Sequence, residues 1–108
     1  MMSSKSFPTL AFGLVAGIGL TTDATALDGA ALYEERACVS CHGPEGREPI
    51  LPVYPKIAGQ NADYAYAQLM DIRSGDRANG QTAAMRPILQ AIPEEELRAI
   101  ADWLQTLN

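Results

Sequence analysis

The hydrophobic positions near the end of the chain follow the period of an α-helix. They recur at intervals of three and four residues: Leu97, Ile100, Leu104 and Leu107. This spacing, with Trp103 beside it, predicts a helix over residues 93–107 that has one apolar face. Pro93 fits the first helical turn, where its missing N–H costs nothing, and the three glutamates that follow it favour the positive end of the helix dipole.

Two earlier segments also have helical patterns. Residues 28–42 begin at Asp28, a suitable N-cap, and the pattern predicts one helix that continues through both cysteines. Residues 61–75 begin at Asn61, a second possible N-cap, and end at Gly75, which suits a helix C-terminus. The stripe of this second segment has helical spacing: Ala62, Tyr66, Leu69 and then Ile72 or Arg73.

The segments between these helices are rich in Pro and Gly. Residues 43–60 contain four prolines and three glycines, which excludes a regular helix, and a loop of this length in a small domain usually has a function. We expect it to wrap a ligand. Residues 76–92 are predicted to form a second loop. Because no strand pattern or internal repeat is visible, the chain is predicted to be all-α, with three main helices and long loops.

The N-terminal segment resembles a secretory signal. Lys5 is followed by an uncharged apolar stretch, residues 7–20, and by small residues at Ala24 and Ala26. The apolar stretch is shorter than the roughly 20 residues that a membrane-spanning helix needs. We therefore expect residues 1–26 to be a cleaved signal peptide and residues 27–108 to be the mature domain. An uncleaved membrane anchor is the alternative.

Composition limits the classes of function. The chain has 108 residues, 47% hydrophobic and 19% charged, as expected of one globular domain. Its net charge of -5 argues against nucleic-acid binding and suits a partner with a basic docking patch. A mature chain of about 80 residues buries little apolar surface, so a bound group is expected to complete the core.

The only cysteines and the only histidine lie together in the segment CVSCH, residues 38–42. A zinc site needs four ligands, and this chain offers three candidates. A thioredoxin-type thiol pair is expected after a strand, and here a helix precedes the pair. The spacing Cys-x-x-Cys-His is typical of covalent attachment of c-type haem. Cys38 and Cys41 then reach the two vinyl groups of the porphyrin, and His42 lies against the iron. We favour this third interpretation.

The second axial position of the iron has three candidate donors. Methionine sulfur is a common axial ligand in cytochromes that transfer electrons. Met70 lies inside a predicted helix and has an alternative role in the core, whereas Met85 lies in a predicted loop that can bring its sulfur to the iron. We favour Met85 over Met70, and Lys56 is the least favoured donor. Ligation by histidine and methionine fills both axial positions and leaves one-electron exchange as the chemistry.

These segments together resemble the class I cytochromes c, in particular the small bacterial ones. The family's first helix and haem-binding turn are matched by GAALYEERACVSCHGPEG, and its central stretch is matched by YPKIAGQNADYAYAQLMDIRSGDR. Its methionine loop is similar to AAMRPI, and its last helix is similar to PEEELRAIADWLQTL. The resemblance implies a class I cytochrome c fold around one haem c, attached through Cys38 and Cys41. It implies His42 as the proximal iron ligand and Met85 as the distal one.

The resemblance also implies roles for residues that do not bind the iron. Pro55 matches the proline whose carbonyl accepts the second N–H of the proximal histidine, and Ile57 stands where a side chain packs on the haem face. The first helix is expected to cross the last at three positions: Gly29, Tyr33 and Trp103. Arg77 is placed where it could approach a haem propionate, although a solvated surface arginine is the alternative. Pro93 departs from the Ser or Thr cap usual in the family.

The function implied is electron transfer by a periplasmic monohaem cytochrome, as a free carrier or as the haem subunit of an oxidoreductase, and not catalysis. Expected partners are redox proteins: a dehydrogenase, a membrane complex or a terminal acceptor. No nucleic acid is expected, and no membrane span after signal cleavage. The alternatives are a haem enzyme or gas sensor with an open iron site and, less favoured, a thiol-disulfide oxidoreductase.

Overall fold

The computed structural model describes residues 26–108, which contain helices and no strands. The helices are α1 (Gly29–Glu35), α2 (Val39–His42), α3 (Ala62–Ser74), α4 (Thr82–Gln90) and α5 (Glu94–Gln105), with a 3₁₀ helix at Pro44–Gly46. The predicted all-α class is confirmed. The predicted signal peptide lies outside the described residues except for its last position. Among the described helices, none is long and apolar enough to cross a membrane.

The first predicted helix is interrupted before the cysteines, so the prediction of one continuous helix was wrong. Ala37 has a φ of 67°, in the left-handed region. Its N–H bonds to the carbonyl of Glu34 at 3.1 Å, and the N–H of Cys38 bonds to the carbonyl of Tyr33 at 3.1 Å. These two bonds form a Schellman motif, which ends a helix and is usually built on glycine. Because alanine occupies that position here, the sequence did not indicate the break.

The predicted loop at residues 76–92 contains α4, so the assignment of Met85 to a loop was wrong. Pro87 lies inside this helix and removes one backbone hydrogen bond. Leu89, two residues later, is buried in a cluster with Ile72, Ile92 and Leu97. Burial of a leucine side chain contributes about 2 kcal/mol, which helps to offset the disfavoured proline. Tertiary packing therefore overrides the local signal.

Three of the helix ends lie at the residues that the sequence predicted as caps. The Asp28 carboxylate accepts the N–H of Ala31 at 3.1 Å, and the Asn61 side chain accepts the N–H of Tyr64 at 2.9 Å. Gly75 ends α3 in the left-handed conformation. These three predictions are confirmed. Pro93, in contrast, is the N-cap of α5 and not part of its first turn, and its extended backbone with ψ of 147° explains the difference.

The core consists of two clusters. The first joins α1 to α5 and comprises Leu32, Tyr33, Ile100 and Leu104, and the second joins α3, α4 and α5 around Ile72, Leu89, Ile92 and Leu97. A Cβ on Gly29 would lie 2.3 Å from the carbonyl oxygen of Ala99, so only glycine permits this close crossing of α1 and α5. The rings of Tyr33 and Trp103 pack against each other there in a tilted arrangement, with centroids 5.2 Å apart and an interplanar angle of 51°. The predicted crossing is confirmed.

Candidate functional site

The CVSCH segment forms a single compact turn that follows the Schellman motif. The N–H of His42 bonds to the carbonyl of Cys38 at 3.1 Å, which places the two residues at opposite ends of one helical turn. Gly43 ends the turn with a φ of 77°, and a Cβ there would lie 2.0 Å from the carbonyl oxygen of Glu48. The turn therefore holds both thiols and the imidazole in a fixed relation to one another.

The turn borders a cavity of about 480 Å³ between the long loop, α3 and α4. All the proposed cofactor-binding side chains except Cys38 line it: Cys41, His42, Pro55, Ile57 and Met85. Cys38 instead packs beside the first core cluster. Leu69, Ile72, Ile88 and Leu104 contribute further apolar surface. The structure therefore brings residues from distant parts of the sequence around one space of a size typical of ligand sites.

The imidazole of His42 is oriented by a hydrogen bond to the long loop. His42 is buried, and its Nδ1 lies 2.9 Å from the carbonyl oxygen of Pro55. A carbonyl oxygen can only accept a hydrogen bond, so Nδ1 carries the proton. In a neutral imidazole the lone pair then lies on Nε2, which is the atom available to a metal.

The two candidate methionines lie in different places. Met85 is half-buried and lines the cavity. Lys56, the least favoured candidate donor, lines the same cavity. Met70 lines a separate, more open depression of about 280 Å³ with Arg73, Ser74 and Gln90. Of these two methionines, only Met85 therefore shares the cavity with His42.

The polar lining of the cavity is cationic or neutral. It contains Lys56 and Arg77 together with several amides, and no Asp or Glu. The Arg77 guanidinium donates from Nη1 to the Gln68 side-chain oxygen at 2.9 Å. In a chain with a net charge of -5, this lining suits a ligand with an apolar body and carboxylate groups.

The donor set fits a haem better than it fits a bare metal ion or a reactive thiol pair. Within residues 26–108, no group of three or more His, Cys, Asp or Glu side chains could hold a metal ion. A porphyrin brings four nitrogens of its own, so the protein need add only axial ligands. Burial raises the pKa of the Cys38 thiol to about 11, whereas thiols active in disulfide exchange have lowered pKa values.

The cytochrome c family model matches residues 26–108. The chain belongs to the cytochrome c family. It is 35% identical over 98 residues to cytochrome c-553 of Nitratidesulfovibrio vulgaris, covering 91% of this chain and 87% of that protein. It is also 35% identical over 100 residues to the thiosulfate dehydrogenase electron acceptor of Stutzerimonas stutzeri, covering 86% of this chain and 45% of that protein.

A solved structure shows the same fold. The reduced cytochrome c4 of Pseudomonas stutzeri superposes with a TM-score of 0.59 at 30% identity, over 72% of this chain and 49% of that one. The chain thus spans less than half of several relatives, including cytochrome c4 of Azotobacter vinelandii, of which it covers 35%. It has the class I cytochrome c fold, and as a cytochrome c domain it carries haem c covalently through Cys38 and Cys41.

Sequence reasoning missed part of the cavity wall. Tyr64 and Gln68 both line the cavity. They lie four residues apart on α3, so they share a face of that helix. The same face includes Ala65, Leu69 and Ile72. The helical spacing of Tyr64 and Gln68 was a signal for this face, but a stripe defined by apolar residues does not include a face that mixes polar and apolar side chains.

Proposed function

We propose that this protein is an electron carrier, or the haem subunit of an oxidoreductase, and that His42 and Met85 are the axial ligands of its iron. The proposal depends chiefly on one observation: His42 and Met85 line the same cavity, and Met70 does not. Haem c supplies a one-electron Fe(II)/Fe(III) couple when bound. The residues around it hold it, orient the imidazole through Pro55, and cover its apolar surface.

Each protein ligand has a defined contribution. Nε2 of His42 is the nitrogen donor, since its Nδ1 proton is committed to the carbonyl of Pro55. The thioether of Met85 raises the reduction potential relative to ligation by two nitrogens. If His42 and Met85 both bind the iron, no site would be left open to oxygen, peroxide or another substrate. We therefore expect outer-sphere electron exchange and no catalysis.

The ligand assignment is tested by a pair of methionine variants. Met85→Ala should abolish the sulfur-to-iron absorption band near the red end of the ferric spectrum, while Met70→Ala should retain it. Carbon monoxide should bind the reduced Met85→Ala protein and should not bind the reduced native protein. Binding of carbon monoxide by the native protein would instead favour the alternative function, a haem enzyme or gas sensor with an open iron site.

We further propose that the protein is exported to the periplasm and cleaved after residue 26. Export is supported by three features of the N-terminal sequence: the charge at Lys5, the apolar stretch over residues 7–20 and the small residues before the cleavage point. Mass spectrometry of the exported protein should give the mass of residues 27–108 plus one haem. A mass that includes the N-terminal segment would favour the uncleaved anchor.

The partners are proposed to be redox proteins that approach the haem: a dehydrogenase, a membrane complex or a terminal acceptor. One relative is named for accepting electrons from thiosulfate dehydrogenase, which makes a dehydrogenase a reasonable first candidate for a donor. The net charge of -5 motivates a test, because docking on a basic partner should weaken as salt rises. A salt-independent rate of electron transfer would contradict electrostatic docking.

A further inference from the structure

Tyr33 contacts both ends of the turn that bears the haem-binding residues. Its backbone carbonyl accepts the N–H of Cys38 at 3.1 Å, at the start of the turn. Its side-chain hydroxyl donates to the carbonyl of Gly43, directly after His42. A single residue of α1 therefore spans the whole CVSCH segment from outside it.

The surroundings of Tyr33 make this connection rigid. The residue has no exposed surface, and its ring packs against Trp103 at the crossing of α1 and α5. The hydroxyl lies in the interior, where an unpaired hydroxyl or carbonyl is costly. Burial, the largest cause, raises the pKa of Tyr33 to about 12, so the phenol keeps its proton throughout the neutral range.

We infer that Tyr33 is a positioning residue for the haem: its hydroxyl fixes the C-terminal end of the haem-binding turn, and hence His42, to the crossing of α1 and α5. This inference rests on the proposed function, since it concerns how the proximal ligand is held. The role of Tyr33 differs from that of Pro55, which lies in the loop after the turn and orients the imidazole ring through its carbonyl oxygen. Tyr33 holds the backbone to which that ring is attached.

The test is Tyr33→Phe, which keeps the ring and removes only the hydroxyl. In the haem-loaded protein, the amides of His42 and Gly43 should exchange with solvent roughly fivefold faster, the factor expected for one net hydrogen bond. The reduction potential should fall, because a looser turn admits water, which favours the more highly charged ferric state. Both effects should appear at pH 7, where the phenol is protonated.

Two controls separate positioning from simple loss of stability. Tyr66→Phe removes a hydroxyl from a half-buried tyrosine of α3 that lines the second core cluster. Ile92→Val lowers stability in that same cluster by an amount similar to the loss of one hydrogen bond. If Tyr33→Phe changes exchange at the turn and the potential no more than Ile92→Val does, Tyr33 is only a core residue and the inference fails.

The native protein provides a second test that does not depend on the folding of a variant. The hydroxyl proton of Tyr33 should be visible by NMR as a slowly exchanging signal close in space to Gly43. Absence of that signal would overturn the inference. Carbon monoxide binding by the native protein would refute the proposed ligation instead, so the two failures are distinguishable.

Discussion

Replacement of Ala37 by glycine should stabilise the protein, which is unusual for a substitution by glycine. Ala37 has a φ of 67° and occupies the position of the Schellman motif that usually holds glycine. A left-handed conformation costs a residue with a Cβ about 1–2 kcal/mol, and glycine does not pay this cost. Glycine loses roughly 0.5–1 kcal/mol more backbone entropy on folding. The net expected gain in unfolding free energy is therefore about 0–1.5 kcal/mol, with a central value of roughly 0.75 kcal/mol.

The assay is urea unfolding of the haem-loaded protein, followed by far-UV circular dichroism. With a slope of about 1.5 kcal/mol/M, the midpoint for Ala37→Gly should rise by roughly 0.5 M. Ala30→Gly is the matched control, because Ala30 lies inside α1, where glycine should lower the unfolding free energy by about 1 kcal/mol. Equal destabilisation by both substitutions would refute the assignment of strain to Ala37, and with it the account of why α1 ends before the cysteines.

Three further predictions test the cavity, the helix crossing and the buried phenol. Arg77→Gln should lower the reduction potential measured in a redox titration, because it removes a positive charge from the cavity lining. The control is Arg86→Gln, which removes a positive charge outside the lining and should leave the potential nearly unchanged. Gly29→Ala should cost about 1–3 kcal/mol or more in urea unfolding, since its Cβ would lie 2.3 Å from the carbonyl oxygen of Ala99; an unchanged midpoint would contradict the close crossing. Because burial raises the folded-state pKa of Tyr33 above its ordinary value of 10.0, its contribution to stability is complete below pH 10 and is lost as pH rises through the raised pKa. Unfolding measured over that window should therefore depend less steeply on pH in Tyr33→Phe than in the native protein.

The position of Met85 shows how a sequence preference can rest on the wrong structural reason. The sequence favours Met85 over Met70 because it predicts Met85 in a loop, yet both methionines lie in helices. What separates them is the side of the packed helices on which each lies: Met85 borders the cavity, and Met70 borders a different depression. Helix against loop was therefore not the property that mattered.

The sequence by itself determined the features that depend on neighbouring residues. These features require only side chains and backbone within a few positions of one another. They are the spacing of CVSCH, the caps at Asp28 and Asn61, and the end of α3 at Gly75. The apolar face of α5 is local in the same sense, because its period can be read without knowing what covers it.

Only the tertiary structure decided the rest. α4 contains Pro87 although proline is disfavoured inside a helix, and the packing of Leu89 in the core helps to offset that local penalty. α1 ends before Ala37, a residue with a Cβ that adopts the left-handed conformation usually left to glycine. The cavity joins residues that are far apart along the chain, such as His42 and Met85, and the Tyr33 hydroxyl finds its acceptor ten residues away. Such pairings arise from the packing of whole helices, and the energy of that packing is not encoded in any short window of residues.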